Sequence, residues 1–348
     1  MSDWYRTPAA SLDDAAGAAA AERQARLTKP SGALGRLEDV VLRLAAMQGR
    51  AQPFVERVRI CVFAADHGVA ADGVSAFPQE VTAQMVANMA SGGAAISVLA
   101  ERIGAAIELI DLGTVAPVPP HPGIRRAAIA PSTAHLAHSP AMTATQLRVA
   151  LDEGHAAVDR ALEAGTDLFI GGEMGIGNTT SATALACALL HQPAAALAGP
   201  GTGLDLAGIA RKQAIIERGL ALHREHLADP FEALMHVGGF EIAALTASYC
   251  ACAQQQLPAL VDGFISSVAA LTATRLCAGA ADWMLLAHGS AEPGHRLIVD
   301  ALGQRPLLDL GMRLGEGSGA AVAVPLLRLA CDLHRHMATF DEAGVADG

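Results

Sequence analysis

The stretch Asp167-Leu-Phe-Ile-Gly-Gly-Glu-Met-Gly-Ile-Gly-Asn-Thr-Thr-Ser-Ala-Thr-Ala-Leu185 decides the fold. Leu168, Phe169 and Ile170 form a short apolar run that reads as a strand stopping at Gly171. Asn178-Thr179-Thr180-Ser181 then opens an Ala-rich segment that reads as a helix. Glycines at 171, 172, 175 and 177 let the backbone approach a ligand and adopt positive φ. Unpaired N–H groups at a helix start, with the dipole behind them, favour an anion such as phosphate. Glu173 inside that anion site needs hydroxyls, a proton or developing positive charge as its partner. A phosphosugar presents both the anion and the hydroxyls.

The same pattern recurs along the chain. Short β-type runs at 58–65, 107–110, 260–261, 284–287 and 307–310 each end beside glycine and a polar residue, and a helical segment follows. Strands alternating with helices predict an α/β fold: a mostly parallel, Rossmann-like sheet flanked by helices. In such sheets ligands bind outside the carboxyl ends of the strands, where Asp66, His67, Glu173, Asp262 and His288 collect. Residues 11–27 read as a helix opened by a Ser11/Asp14 capping box. A second helix carries Leu34, Leu37, Val41 and Leu44 and stops at Gly49. Residues 325–338 place Leu326, Leu329, Leu333 and Met337 at helical spacing, with His334 and His336 on a solvated face. These ends are expected to form a small helical domain (1–50 plus 325–348) beside a large α/β catalytic domain (51–324). The proline-rich segment 114–140 reads as irregular.

The chain has 348 residues, 52% hydrophobic and only 3% aromatic, so Ala, Val, Leu and Ile must make the core. A net charge of −11 argues against nucleic acid, which needs a basic face. Of 24 basic residues only Lys29 and Lys212 are lysines, and each lies beside a Gly- or Pro-rich segment. Six scattered cysteines read as buried small hydrophobes of a reducing cytosol. No apolar signal core opens the sequence and polar breaks interrupt its long uncharged stretches, so a cytoplasmic protein without a membrane span is expected.

The loop at 171–181 is neither a G-K-[ST] loop nor G-x-G-x-x-G; it reads as a generic phosphate nest or as a tightly packed turn. Gly175, Gly177, Asn178 and Thr179, with the second loop Gly201-Thr202-Gly203 and Lys212, suit a monophosphate and its ribose. Glu316 stands between glycines in Gly315-Glu-Gly-Ser-Gly319. A carboxylate in a partly dry pocket has a raised pKa and becomes a competent general base, while the same residues also fit a solvated turn. No H-E-x-x-H and no G-x-S-x-G occurs, so no metal site is expected.

Eight ordered motifs resemble one family. They are Lys29-Pro-Ser-Gly-Ala-Leu-Gly-Arg-Leu-Glu38, Ala65-Asp-His-Gly-Val69, Val74-Ser-Ala-Phe-Pro-Gln-Glu-Val-Thr82 and Gly172-Glu-Met-Gly-Ile-Gly-Asn-Thr-Thr180. Further on come Val237-Gly-Gly-Phe-Glu241, Asp262-Gly-Phe264, His288-Gly-Ser-Ala-Glu292 and Leu314-Gly-Glu-Gly-Ser-Gly319. Together, from about Lys29 to the tail, they resemble the nicotinate-nucleotide–dimethylbenzimidazole phosphoribosyltransferases of cobalamin lower-ligand assembly. The resemblance implies nicotinate mononucleotide and 5,6-dimethylbenzimidazole as substrates, inversion at the anomeric carbon, no cofactor, and a homodimer. It places the catalytic base at Glu316, and phosphate and ribose contacts among the loops above with Asp262 and Ser290. The catalytic part expected of Glu173 is to accept from ribose hydroxyls and oppose positive charge at the anomeric carbon, the alternative being a cap on the following helix. The azole lies against Phe77, Met85 and Leu314. Some family members carry polar side chains where Phe77 and Met85 stand, so an apolar wall for a methylated benzimidazole is expected here.

Two other classes compete. A diphosphate-dependent phosphoribosyltransferase would want adjacent acids at a strand end, whereas the pairs here (Asp13-Asp14, Glu38-Asp39, Asp341-Glu342) lie elsewhere. A non-catalytic nucleotide sensor explains the glycine loops but leaves Glu316 without work.

Overall fold

Six parallel strands in the order β3-β2-β1-β4-β5-β6 build the centre of the molecule. They are β1 (Val58–Ala65), β2 (Ala106–Gly113), β3 (Ile124–Arg126), β4 (Leu168–Met174), β5 (Ala259–Val261) and β6 (Met284–Leu286). The coordinates are a computed structural model that describes residues 3–346; the outermost two residues of each expected terminal segment lie outside it. Strand β1 is buried at seven of its eight positions, as a strand covered on both faces must be.

The helices, in chain order, begin with α1 (Asp14–Arg26), α2 (Arg36–Gln48), α3 (Glu80–Ala90), α4 (Ala95–Ile103) and α5 (Ala144–Glu163). Next are α6 (Asn178–Leu190), α7 (Ala194–Leu197), α8 (Leu206–Leu222), α9 (Pro230–Val237) and α10 (Phe240–Gln254). The last are α11 (Phe264–Leu276), α12 (His295–Leu302), α13 (Ser318–His336) and α14 (Phe340–Ala343). Helix α10 is buried from Phe240 to Ala253, and α6 and α11 nearly so. A helix apolar all round belongs inside a large core, which is where the Ala-rich composition goes. Residues 80–103 are apolar enough to span a bilayer by composition. They form two helices broken at Ser91, each shorter than the ~20 residues a span requires.

Several sequence expectations need correction. Strand β4 continues through Gly171 to Met174, so Glu173 sits on the strand and not in the loop. The strand continues because Gly172 leaves room for the backbone of Glu316 to press against it, where any Cβ would collide. Residues 307–310 form no strand of the sheet; Leu308 makes one isolated parallel bridge to His288. The irregular segment 114–140 instead supplies the edge strand β3. Helix α1 is capped by Asp13, which accepts from Ala16 N at 2.9 Å, and not by Ser11.

At the C-terminus, α13 runs unbroken from Ser318 across the expected boundary at 325. Its buried face is Ala323, Val324, Leu327, Ala330, Cys331 and His334, while Leu329 is 58% exposed. The leucine spacing pointed to the wrong face because alanine and cysteine pack more closely on α2. His334 is fully buried, bonded to Gln24 Nε2 at 2.9 Å and to Ala51 O at 2.8 Å. Gly49 stops α2 in the left-handed conformation, as expected.

Candidate active site

Parallel register carries every strand's last residue to one edge, and a cavity of about 280 Å³ opens there beyond β4, β5 and β6. Glu173, Gly175, Asn178, Thr179, Gly201, Thr202, Asp262, Ser290, Phe77 and Leu314 all line it. Gly177, Gly203, Lys212, Met85 and Glu316 do not. His288, expected at a strand end, also faces the cavity, and sequence reading missed Met174, Ile176, Phe264, Ile265, Ser266, Glu292 and Arg313. Some of these stand inside or beside the quoted motifs. Which of them point inward depends on how the loops lie over the strands.

One wall is a polar loop cluster. Lys212 is fully buried beneath it, donating to Thr179 Oγ1 at 2.9 Å and to Gly199 O at 3.2 Å. Burial pushes its ammonium down to about 8, against a smaller upward pull from Glu292. Glu292 accepts from Gly201 N at 3.1 Å, and Arg313 donates to Gly201 O at 2.7 Å. Both faces of the 199–203 loop are thereby pinned. Thr202 Oγ1 accepts from Ala76 N at 3.0 Å and pairs with Ser75 Oγ at 2.9 Å, which holds the segment presenting Phe77 across the opening.

The other wall is apolar, built from Phe77, Met174, Ile176, Phe264, Ile265 and Leu314. Met85, expected here, is half-buried on α3 and outside the cavity, so Phe264 and Ile265 at the start of α11 supply the apolar lining beside Phe77.

Acids converge between the two walls. Glu173 accepts from Asn178 Nδ2, and its carboxyl is pushed well above the ordinary range by burial, then by the charges of Glu241, Asp262 and Glu316. Glu316 is buried in the left-handed region at φ 64°. Among the described residues its carboxylate has one hydrogen bond, a long 3.4 Å contact from Ile96 N at the start of α4. Burial again raises its pKa, that amide offsets part of the rise, and Asp262 adds to it. Asp262 accepts from Ala320 N at 2.8 Å and Gly317 N at 3.2 Å, so it caps α13 and fixes the turn bearing Glu316. His288 Nε2 lies 3.6 Å from Asp262 Oδ1; burial disfavours its charge, but Asp262 outweighs that and raises its pKa.

Behind the glycine loop, His67 joins Ser181 Oγ (2.9 Å) to Glu241 Oε1 (2.7 Å). The order resembles a nucleophile–histidine–acid chain, yet all three are 0–1% exposed and no substrate reaches them. Their work is to hold the first turn of α6. Asp66 does the same through Thr82, whose hydroxyl donates to Asp66 at 2.6 Å and accepts from Ile176 N at 3.0 Å. Lys29, ahead of α2, pairs with Glu38 in the first turn of that helix at 2.8 Å.

A family profile described as Phosphoribosyltransferase matches residues 9–345. The nicotinate-nucleotide–dimethylbenzimidazole phosphoribosyltransferase of Azotobacter vinelandii is 62% identical over 346 residues, 99% of this chain and 98% of that one. The Pseudomonas aeruginosa protein of the same name is 59% identical over 344 residues, with the same coverage. The crystal structure of the Thermus thermophilus enzyme superposes with a TM-score of 0.91 at 46% identity, covering 97% of this chain and 100% of that one. With identity sustained over nearly its whole length, the chain belongs to the nicotinate-nucleotide–dimethylbenzimidazole phosphoribosyltransferase family.

Proposed function

We propose that this chain transfers the phosphoribosyl group of nicotinate mononucleotide to 5,6-dimethylbenzimidazole, releasing nicotinate and α-ribazole 5′-phosphate for the cobalamin lower ligand. The polar wall takes the phosphate, with Thr179, Gly201, Thr202 and Arg313 at the surface and Lys212 as countercharge beneath. The azole lies on Phe77, Phe264, Ile265 and Leu314. Glu173, between the walls, accepts from the ribose hydroxyls and opposes the positive charge that builds at the anomeric carbon. The pyridinium nitrogen leaves as a neutral ring, so departure needs no proton. The attacking azole nitrogen becomes cationic unless its partner N–H is released; Glu316, buried directly behind the cavity-lining Leu314 and Gly315, is the carboxylate that takes that proton once the azole is seated.

The observation that carries this reading is the bonding of Glu316. A buried carboxylate held by one 3.4 Å amide contact has spare acceptor capacity and a raised pKa. A carboxylate kept for structure is bonded as Asp262 is. The test is to supply both substrates and follow nicotinate release. No release, or release that requires phosphoribosyl diphosphate and Mg²⁺, would remove the reading.

The same reading includes a cytoplasmic homodimer. All six cysteines are buried and unpaired, which suits a reducing compartment. Phe77 and Leu314 on the cavity lining, and Leu310, are more than half exposed, and a second copy would cover them. A one-chain mass by light scattering would exclude the dimer. Residues 1–50 with 325–348 are taken as a small helical domain; α1 and α2 pack together, and Leu27 bridges to Thr339.

A further inference from the structure

The turn between α8 and α9 gathers three histidines and a glutamate that the transfer reaction does not use. His223 ends α8, His226 lies in the turn, and Glu232 and His236 share one face of α9 at i and i+4. None of the four lines the active-site cavity. From this geometry we propose a divalent transition-metal site of the zinc class, with His226, Glu232 and His236 as ligands and water completing the shell.

The hydrogen bonds fix which ring atoms are available. His223 Nε2 lies 2.8 Å from Leu136 O, and a carbonyl only accepts, so this nitrogen carries the hydrogen. The Nδ1 of neutral His223 is then an acceptor, and it faces His236 Nδ1 at 2.8 Å. His236 therefore donates from Nδ1 and leaves a bare lone pair on Nε2. That nitrogen lies 3.5 Å from Glu232 Oε2. A cation bound between two such electron-rich atoms satisfies both. The opposite polarity would need a second proton on the buried His223 ring. A ligand histidine whose other nitrogen is held by a fixed acceptor is the usual arrangement around a protein-bound metal.

The spacing fits as well. Glu232 Oε2 is 3.6 Å from His226 Nδ1, and one ligand atom from each residue lies within 4.8 Å of the others. A tetrahedral zinc with bonds of about 2.0–2.1 Å has ligand-to-ligand edges of about 3.3 Å. The His226 ring stacks on His236 at 4.2 Å and 14°, so binding turns it out of the stack to bring the metal into both ring planes. Its side chain is 52% exposed and can make that turn. Two imidazoles with one carboxylate favour zinc-class ions over Ca²⁺ or Mg²⁺. The consequence is a staple: His236 O accepts from Ala141 N and His223 bonds Leu136, so the metal would tie the α8–α9 turn to the 133–142 segment.

The test uses the full-length, untagged protein, stripped with a chelator and titrated with Zn²⁺ by calorimetry, with melting followed in parallel. The expected result is one zinc per chain and a raised melting temperature. His226→Ala and Glu232→Gln should each weaken binding about tenfold or more. Both side chains are at least 36% exposed, so the metal-free variants should melt as the parent does. Absence of stoichiometric binding, or unchanged binding in both variants, overturns the proposal.

Discussion

Gly315→Ala separates the position of Glu173 from the stability of the loop. Gly315 has φ +90°, and a Cβ there would come inside 3.0 Å of Glu173 Oε1 and 3.4 Å from its Cδ. Left-handed backbone costs an L-residue about 1–2 kcal/mol. Domains of 150–250 residues lose about 2–4 °C per kcal/mol, so a fall of a few degrees is expected. The larger effect is on rate. Relieving the collision needs a shift of Glu173 on the order of 1 Å, and misplacement of that size costs about 10²-fold in turnover. That is about 2.7 kcal/mol of barrier. Gly104→Ala is the control: it has φ +64° with open space around the new methyl, so it carries backbone strain without a collision. Nicotinate release at saturating substrates, with melting curves for both variants, is the assay. Similar melting losses with turnover reduced only in Gly315→Ala support the placement of Glu173. If Gly315→Ala keeps turnover within about threefold, the misplacement argument fails.

Glu316→Gln should bind both substrates yet lose about 10²–10⁴-fold in turnover. Because burial raises this carboxyl, the acid limb of the parent's rate profile should sit above the ordinary carboxylate range and vanish from the variant's residual rate; an unshifted limb would move the base elsewhere. Glu173→Gln should lose rate and discrimination against a 2′-deoxyribose nucleotide. It should also melt higher than the parent at pH 8, since a carboxyl raised on folding loses its stabilising contribution as pH climbs through the folded pKa and glutamine does not titrate. Normal kinetics with a lower melting point would make Glu173 a helix cap. Lys212 titrates near 8 in the fold, so the KM for nucleotide, but not for base, should rise as pH passes that value. Lys212→Ala should start high and stay flat, and a nucleoside that reacts as well as its nucleotide would refute the countercharge. Between about 8 and the ordinary 10.5 the unfolded chain holds a proton the native lysine has released, so this group makes stability rise with pH there.

The sequence alone determined the layered α/β architecture, because strand and helix periods, glycine stops and acidic strand ends are local signals. Five of the six strands and the start of α6 follow from that reading. Glu173 and Asp262, which line the cavity, and Glu316, buried beside it, drew notice for the same reason: each stands beside glycine where ordinary packing gives a charge no place. Tertiary structure decided the rest. The strand reads as stopping at Gly171 until the backbone of Glu316 is seen filling the missing side chain of Gly172. Asp262 gives no local sign that its oxygens accept from a helix start 55 residues away while it lines the cavity. The face α13 buries was hidden because alanine and cysteine outpack leucine where helices sit close. Arg313, Glu292 and the His67 chain owe their roles to partners 91 to 174 residues distant. Periodicity reports which way a residue faces within its own element. Which group stands opposite is set when the elements close on one another, and at the mouth of a parallel sheet that closure assembles the chemistry.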